Sequence, residues 1–578
     1  MSKEWRQQIS QPQYGIKTEK NIPVTMRDGV KLSVNIYRPD APGKFPALFA
    51  MGGYGKELQE ELISPQPLRK SPIWDGNIEA GDTPDIVSRG YIHVIADARG
   101  TGVSEGEYPG LWSQQEGKDG ADIVEWIARQ PWCDGNVGMI GYSYYGGIQL
   151  KVAIQQPPHL KSIICAHLSY DFYRDLVYQG GVLILFMYGL WDGRHGTSGY
   201  APKDRTSQMV KNLSPEELER RRQELLNEPD IKNYPNLFHL LNYPYKNPQF
   251  FDYLLNPFDG PFWQDRSVYP FIDKIKVPTY IIGKVGGSRG YWDVYENLKT
   301  TKKLMVKPIG TEERPWREDI ETIIRWHDHW LKGNDTGIME EPQVKVWVPG
   351  ANKWYYGEDL PLKKPEFTNC YLRRWESLSF EPELLQPLPD CFMQQPLHLS
   401  TKRDSVKYIS PPLPADLEVI GPAAFNFFAS IDTDDAHFIA RLSDVAPTGN
   451  EITLSRGVLK ASHRATDAVK TRPYLPYHPH DKAVPVNPGE INEYNIGLGN
   501  VVNVFKAGHR IKLEIDSMLA PRDPEIQIHY HPLLNSSRIT THKIYRNREY
   551  QSHIVLPITS GKEAVEDVMT DESFQGGL

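Results

Sequence analysis

A short apolar run followed by a glycine-flanked serine constrains this chain more than any other feature. Residues 137–140 are apolar, residues 141–146 read GYSYYG with Ser143 at the third position, and an apolar helical pattern follows over residues 147–155. This order of strand, tight turn and helix is that of a nucleophile elbow, which lifts a serine hydroxyl above the edge of a sheet. One extra residue precedes the second glycine of the usual G-x-S-x-G pattern. The alternative interpretation is a glycine-rich turn whose serine has no chemical role.

The first third of the chain alternates strand and helix patterns. Residues 30–37, 45–51 and 91–96 read as strands, and residues 119–130 carry apolar side chains at helical spacing. Strands separated by helices predict a mostly parallel sheet with helices on both faces. Ligands of such sheets bind at the carboxyl ends of the strands, and we expect Ser143 to lie there.

The remainder of the chain predicts two further kinds of structure. Residues 167–270 are rich in aromatic residues, Asn and Pro and predict a helical insertion that caps the site. The sheet resumes within residues 271–350, and residues 351–578 show short strands separated by turn residues, as in a β-sandwich. We therefore expect an α/β domain over residues 1–166 and 271–350, a helical cap between its two parts, and a C-terminal all-β domain.

Composition excludes several classes of function. The 578 residues carry a net charge of −8, which provides no basic face for nucleic acid and no polybasic membrane patch. No apolar stretch approaches the length that crosses a bilayer, and the first residues lack the apolar core of a signal peptide. Four widely spaced cysteines fit buried thiols of a reducing compartment. We expect a cytoplasmic protein that acts on a small-molecule substrate, without nucleic-acid or membrane partners.

The sequence contains no recognisable metal or cofactor motif. Residues 99–102 read RGTG and lack the third glycine of the dinucleotide fingerprint. His478 and His480 flank a proline without carboxylate or thiol partners at metal-ligand spacing. We expect no cofactor and no metal ion.

Several motifs in order resemble the cocaine esterase / X-prolyl dipeptidyl-peptidase family (CocE/NonD, peptidase S15-like) of serine hydrolases. They are MRDGVKL at 26–32, DARGTGVSEG at 97–106, QPW at 130–132, GNVGMIGYSY at 135–144, DHWLKG at 328–333 and FKAGHR at 505–510. The resemblance runs over nearly the full length. It implies an α/β-hydrolase domain with a helical cap insertion, followed by a C-terminal all-β jelly-roll sandwich domain. It is also compatible with a homodimer, since members of the family often form dimers.

The resemblance implies acyl transfer, in which Ser143 attacks a carbonyl and preorganised donors stabilise the oxyanion. In α/β-hydrolases one donor is the backbone N–H that follows the nucleophile, which belongs to Tyr144 in this chain. The family's second donor is a tyrosine hydroxyl after an early strand, and Tyr54 in the sequence GGYGK matches that place. The alternative for Tyr54 is an ordinary tyrosine of a surface loop.

The chain departs from the family at the other two triad positions. Where the family has its acid, residues 284–290 read KVGGSRG, and the next carboxylate is Asp293, which a gapped alignment can bring into the acid position. Where the family has its histidine, residues 307–313 read KPIGTEE. A serine without its base is a weak nucleophile, and losing the base from a triad lowers the rate by several orders of magnitude.

Two histidines are candidates for a non-standard base. His167 follows the strand next in sequence to the elbow strand, and His195 lies in the predicted cap. The alternative for His167 is a packing histidine, and the alternative for His195 is a histidine in a solvent-exposed loop.

Two carboxylates and two lysines are further candidates. Glu312 and Glu313 occupy the loop where the histidine is missing, and a partly buried carboxylate can act as a base. Lys284 and Lys307 each follow a strand at the active edge. A desolvated lysine can serve as a base, and these two can equally bind an anionic group of the substrate.

Two functions of different classes follow from these observations. The first is serine-hydrolase-type acyl transfer or hydrolysis of an ester or amide of a small, largely apolar substrate, with a non-standard base. The second is a repurposed hydrolase fold that catalyses a non-hydrolytic step, as an isomerase, lyase or cyclase using the oxyanion hole, or that only binds a ligand. The retained elbow favours the first, and the lost acid and histidine favour the second.

Overall fold

The structure is a computed structural model that describes residues 8–60, 78–191, 207–286, 289–308, 316–519 and 533–559, and the backbone of Gln66–Pro67 and Glu313–Arg314. No helix among these residues combines the length and the apolar character needed to cross a bilayer.

Ten strands of the described residues form one sheet in the N-terminal part of the chain. In chain order they are β1 (Ile16–Thr25), β2 (Lys31–Pro39), β3 (Phe45–Gly52), β4 (Ile92–Asp97), β5 (Cys133–Tyr142), β6 (Leu160–Ala166), β7 (Thr279–Lys284), β8 (Lys302–Lys307), β9 (Val344–Val348) and β10 (Lys353–Gly357). Their order in space is β1-β2-β4-β3-β5-β6-β7-β8-β9-β10. Strands β3 to β9 run parallel, whereas β1, β2 and β10 run antiparallel to their neighbours. β4 and β7 are buried at every position, as expected of strands covered on both faces.

In the described stretches between the first six strands there are three helices. They are α1 (Thr83–Ser88), α2 (Gln114–Ala128) and α3 (Tyr144–Ile154), with a short 3-10 turn at Leu58–Glu60. The α2 helix begins earlier than its apolar spacing indicates, because Ser113 and Glu116 form a capping box that satisfies its first backbone amides. Every residue of α3 is buried, which agrees with its apolar character on all sides.

The described residues between β6 and β7 are largely helical. They contain a π-helical turn (Tyr173–Val177), a two-stranded pair (Tyr178–Gln179 and Val182–Leu183), α4 (Phe186–Trp191), α5 (Gln208–Asn212), α6 (Pro215–Asn227), α7 (Pro229–Lys232), α8 (Pro235–Asn242), α9 (Pro248–Leu254), α10 (Pro261–Arg266), and 3-10 turns at Pro244–Lys246 and Tyr269–Lys274. A proline stands in the first turn of α6 to α10, where its missing N–H is not needed. The proline-rich composition is therefore compatible with helices. The fully buried Trp263 packs against the rings of Phe172 and Tyr173, so these two aromatic residues belong to the core.

Two more helices flank the last parallel strands. α11 (Gly290–Asn297) lies between β7 and β8, and α12 (Ile320–His327) continues as a π-helical turn (Asp328–Lys332) before β9. A 3-10 turn (Pro349–Ala351) connects β9 to β10.

In the C-terminal part, as far as the structure describes it, eleven strands form a second sheet. They are β11 (Glu366–Arg373), β12 (Ser377–Ser379), β13 (Asp390–Gln394), β14 (Ser405–Ile409), β15 (Leu417–Ile431), β16 (His437–Val445), β17 (Glu451–Lys460), β18 (Asn492–Phe505), β19 (Arg510–Asp516), β20 (Thr540–Tyr545) and β21 (His553–Ile558), with a 3-10 turn at Ala461–His463. The hydrogen-bonded order is β13-β20-β15-β21-β11-β12-β14-β19-β16-β17, and β18 also pairs with β15. These strands enclose an apolar core of their own.

One arginine links the helical segment to the C-terminal part. The Arg174 guanidinium lies 2.6 Å from carboxylate oxygens of both Asp171 and Asp259. It also donates to the backbone carbonyls of His478 and Pro479, each at 2.8 Å. A planar cation with several donors is suited to such a shared contact.

Candidate active site

Ser143 occupies a strained turn between β5 and α3. Its backbone has φ +55° and ψ −113°, a conformation that a non-glycine residue adopts only when its surroundings impose it. Its N–H donates to the Ala166 carbonyl of β6 at 2.9 Å, and its own carbonyl accepts from the amides of Gly146 and Gly147 at 3.0 and 2.9 Å. The residue is half-buried, and its hydroxyl has no hydrogen-bond partner among the described residues.

The extra residue in the glycine pattern has a packing explanation. Tyr145 stands where the second glycine of the usual elbow would be, and its ring fills the space beside Gly52, where an added Cβ would lie 2.4 Å from the ring. The close approach to β6 falls instead on Gly146, whose added Cβ would lie 2.2 Å from the Ala166 carbonyl oxygen. The glycine required by the turn is thus displaced by one position, and Gly52 makes room for the aromatic ring.

Tyr54 follows β3 and is not a surface residue, because only 3% of it is exposed. Its ring meets the Tyr144 ring edge-on, with a centroid distance of 5.3 Å. The loop that carries it is fixed by a hydrogen bond from the Lys56 amide to Asp97 at 2.9 Å. Tyr54 therefore lies beside the side chain of the residue that follows Ser143.

The backbone amide of Tyr144, the other predicted oxyanion donor, is occupied in this structure. It donates to Oε2 of Glu79 at 3.0 Å, and the Glu79 carbonyl accepts from the Tyr142 amide at 3.0 Å. The Tyr144 hydroxyl donates to Glu116 and shares a 2.8 Å hydrogen bond with the Tyr108 hydroxyl. Burial raises the pKa of Glu116 to about 8.

Glu79 is the site residue that the sequence did not indicate. Only 3% of it is exposed, and the Gln59 side chain accepts from the Glu79 and Ala80 amides at 2.7 and 3.0 Å. A single glutamate in a loop, remote in sequence from the elbow, belongs to no motif. No sequence signal could have found it.

Two family models match the chain. The model described as X-Pro dipeptidyl-peptidase (S15 family) matches residues 28–310, and the model described as X-Pro dipeptidyl-peptidase C-terminal non-catalytic domain matches residues 336–555. The chain belongs to the cocaine esterase / X-prolyl dipeptidyl-peptidase family. The family resemblance of the sequence motifs is thereby confirmed, and the chain is an enzyme of this hydrolase family.

Each of three similar proteins matches both parts of the chain in a single alignment. Cocaine esterase from Rhodococcus sp. is 26% identical over 613 aligned residues, which cover 93% of this chain and 98% of that protein. A CocE/NonD family hydrolase from Staphylococcus aureus has a TM-score of 0.73 at 23% identity, with 94% of each chain covered. An aminopeptidase from a marine sediment thaumarchaeon has a TM-score of 0.71 at 20% identity, covering 95% of this chain and 97% of its own. The shared fold has an N-terminal hydrolase part and a C-terminal all-β part.

Asp293, the candidate for the family's acid, lies in an ion pair. Nε of Arg289 is 2.7 Å from its Oδ1, and among the described residues no histidine contacts it. Burial raises the pKa of Asp293 to about 7, opposed by Arg289 and reinforced by Asp175. In a catalytic triad the acid orients the histidine ring, whereas the described partner of Asp293 is the Arg289 guanidinium.

His167 lies beside the elbow. It directly follows Ala166, which accepts the Ser143 amide, and its backbone has φ +51°. Its half-buried ring stacks on the Tyr142 ring at a centroid distance of 4.6 Å. Tyr142 in turn meets Trp316 edge-on at 5.9 Å. The structure thus places one sequence candidate for the base at the carboxyl end of β6, beside the turn that carries Ser143.

The two candidate lysines end neighbouring strands, where they are paired in register. Lys284 is buried, with 6% exposed. Nζ of Lys307 lies 2.9 Å from both carboxylate oxygens of Asp319, which also accepts from the Trp316 indole N–H at 2.7 Å. An ammonium ion held in such a pair cannot accept a proton, so this contact disfavours Lys307 as a base.

Three candidates lie wholly or partly outside the described residues. His195 and Glu312 are both outside them. Glu313 is described only by its backbone, which pairs with Pro67 in a two-stranded ladder.

A cavity of about 340 Å³ lies between the helical segment and the C-terminal part, and it does not include Ser143. Its lining contains Asp259, Tyr269, Asp467, Lys470, Tyr477 and Asp481. The strained serine turn lies elsewhere, between β5 and α3. Across the described part of the chain, no three His, Cys, Asp or Glu side chains cluster in a way that could hold a metal ion.

Proposed function

We propose that this protein is a serine-type hydrolase that cleaves an ester or amide bond of a small, largely apolar substrate. Ser143 is the nucleophile, and the Tyr54 hydroxyl and the Tyr144 amide are the oxyanion donors. The observation that carries the proposal is the strained elbow at φ +55°, which presents a serine hydroxyl without a protein partner among the described residues. Membership of a hydrolase family that includes cocaine esterase supports it.

The proposal includes a non-standard base and three structural assignments. The base replaces the family's histidine, which is absent from residues 307–313, the loop where the family has it. The helices within residues 167–270 form a cap over the elbow, because they follow β6 directly at its carboxyl end. Residues 1–166 and 271–350 form the hydrolase domain, and residues 351–578 form a jelly-roll domain.

A fluorophosphonate probe together with p-nitrophenyl butyrate tests the proposal. The wild-type protein is expected to be labelled covalently and to release p-nitrophenol, and Ser143→Ala is expected to lose both properties. Tyr54→Phe should lower kcat on the ester by about 10²- to 10³-fold, since one oxyanion donor is removed.

The competing class of function gives a different result. If wild-type protein is neither labelled nor active on ester and amide panels, the hydrolytic proposal fails. A non-hydrolytic reaction or simple ligand binding then becomes the better explanation. Labelling that survives in Ser143→Ala would exclude Ser143 as the nucleophile.

A further inference from the structure

Glu79 is held against the elbow by hydrogen bonds at both ends. Its backbone is fixed by the Tyr142 amide on one side and by the Gln59 side chain on the other. Its carboxyl oxygen Oε2 accepts from the Tyr144 amide at 3.0 Å. Because this amide nitrogen is only two bonds from the Ser143 Cα, the carboxyl group stands beside the serine.

A carboxylate in this position conflicts with simple oxyanion binding. The Tyr144 amide is the donor that should meet the developing negative charge, and a buried anion on that donor repels it. Glu79 must therefore either obstruct the reaction or take part in it. Its position favours participation. The Tyr142 amide and the Gln59 side chain hold its backbone in place, and its carboxyl group faces the elbow.

We infer that Glu79 is the general base that replaces the missing histidine, an inference that rests on the proposed hydrolytic function. Glu79 takes the proton of the Ser143 hydroxyl as Oγ bonds to the substrate carbonyl carbon. The carbonyl π electron pair moves to its oxygen, which Tyr54 and the Tyr144 amide then bind. Glu79 becomes neutral in the same step, which weakens its hold on the Tyr144 amide and removes the repulsion between its charge and the oxyanion. One proton transfer thus activates the nucleophile and makes the amide a better donor to the oxyanion.

The same proton completes the catalytic cycle. The oxyanion electron pair re-forms the carbonyl, the bond to the leaving oxygen or nitrogen breaks, and Glu79 returns its proton to the leaving group. Glu79 then takes a proton from water as the water oxygen attacks the acyl carbon. Collapse of this second intermediate releases the acid, and Ser143 recovers the proton from Glu79. Every proton and electron pair is accounted for without another reactant.

The test compares Glu79→Gln with His167→Gln on p-nitrophenyl butyrate and on the fluorophosphonate probe. The amide introduced by Glu79→Gln keeps an oxygen for the Tyr144 N–H but cannot take a proton, so kcat is expected to fall by about 100-fold or more. The rate of labelling should fall in parallel. His167→Gln should lose much less, because its ring lies on Tyr142 and the scheme gives it no proton. Glu216→Gln, an exposed carboxyl at the first turn of α6, is the matched control.

Two further measurements separate a catalytic role from a structural one. The acidic limb of the kcat/KM profile should be present in wild type and absent from the residual activity of Glu79→Gln. Formate should restore part of the activity of Glu79→Ala, because it supplies a carboxylate to the space left open. If Glu79→Gln does not fold, Glu79→Asp, which retains the acid on a shorter side chain, should lower kcat and keep the acidic limb.

The outcomes also separate this inference from the proposed function. Wild-type activity that depends on Ser143 and persists in Glu79→Gln would overturn the role of Glu79 and leave the hydrolase intact. The same holds if Glu79→Ala becomes faster than wild type, which would make Glu79 an obstruction, or if His167→Gln alone abolishes activity. Absence of Ser143-dependent labelling in wild type would overturn the proposed function itself.

Discussion

Replacing Glu116 by glutamine should change the way in which stability depends on pH. Glu116 is fully buried in α2, where it accepts from the Tyr144 hydroxyl and from the Ser113 amide. Burial raises its pKa to about 8, so the folded protein holds this carboxyl in its neutral form at mildly acidic pH. Glutamine has nearly the same shape and no ionised form, and its single amide oxygen can keep the hydrogen bond from the Tyr144 hydroxyl.

The sign follows from proton linkage. The folded state binds the Glu116 proton more tightly than the unfolded state, so its stabilising contribution is present at low pH and is lost as pH rises toward 8. With an unfolded pKa of about 4.3, this carboxyl should remove about 2 kcal/mol of stability between about pH 6 and about pH 8. Glu116→Gln does not lose this stability, so its free energy of unfolding should rise by about 2 kcal/mol relative to that of wild type over the same interval.

Urea denaturation at both pH values measures the difference. The free energies of unfolding of wild type and of Glu116→Gln should diverge as pH rises. Glu216→Gln should follow wild type, because the carboxyl group of Glu216 is exposed. Parallel curves for wild type and Glu116→Gln would refute the reasoning and show that this buried carboxyl does not titrate between the two conditions.

Two further substitutions test the elbow and the contact between the two parts of the chain. Gly146→Ala should destabilise the protein by about 1–3 kcal/mol and slow labelling of the serine, because the new Cβ would lie 2.2 Å from a strand carbonyl. Gly497→Ala is its control, since a Cβ there meets only ordinary contacts at 3.8 Å, and equal denaturation midpoints for the two would contradict the packing argument. Arg174→Met should lower the free energy of unfolding by about 3–5 kcal/mol, because it leaves two largely buried carboxylates without their cation. A thermal midpoint unchanged from wild type would show that this link contributes little.

The sequence anticipated those features that depend on neighbours in the chain. The apolar run, the glycines and Ser143 lie within ten residues of one another, so their spacing alone indicates a strand, a turn and a helix. The succession of parallel strands and the later all-β part also follow from local periodicity. The family resemblance carried Tyr54 to the same site, and the structure places its ring beside Tyr144.

The sequence predicts which segments are helical more accurately than it predicts where each helix begins. The second helix was expected from residue 119, but the Ser113 and Glu116 cap starts it at Gln114. Phe172 and Tyr173, two aromatic residues of the helical segment, pack around a buried tryptophan. Composition shows that such residues will be buried, but it does not show whether a ligand or another side chain covers them.

The sequence by itself determined the glycine-flanked serine turn and the succession of a hydrolase part and an all-β part. Only the tertiary structure decided what surrounds the serine. Glu79 accepts a hydrogen bond from the Tyr144 amide, 65 positions away in the sequence. Lys307 forms an ion pair with Asp319, which lies in the segment that follows its strand. Spacing patterns report hydrogen bonds and packing between residues a few positions apart, whereas these contacts depend on the path of whole loops across the sheet edge. The electrostatics of the site therefore became visible only once the chain was folded.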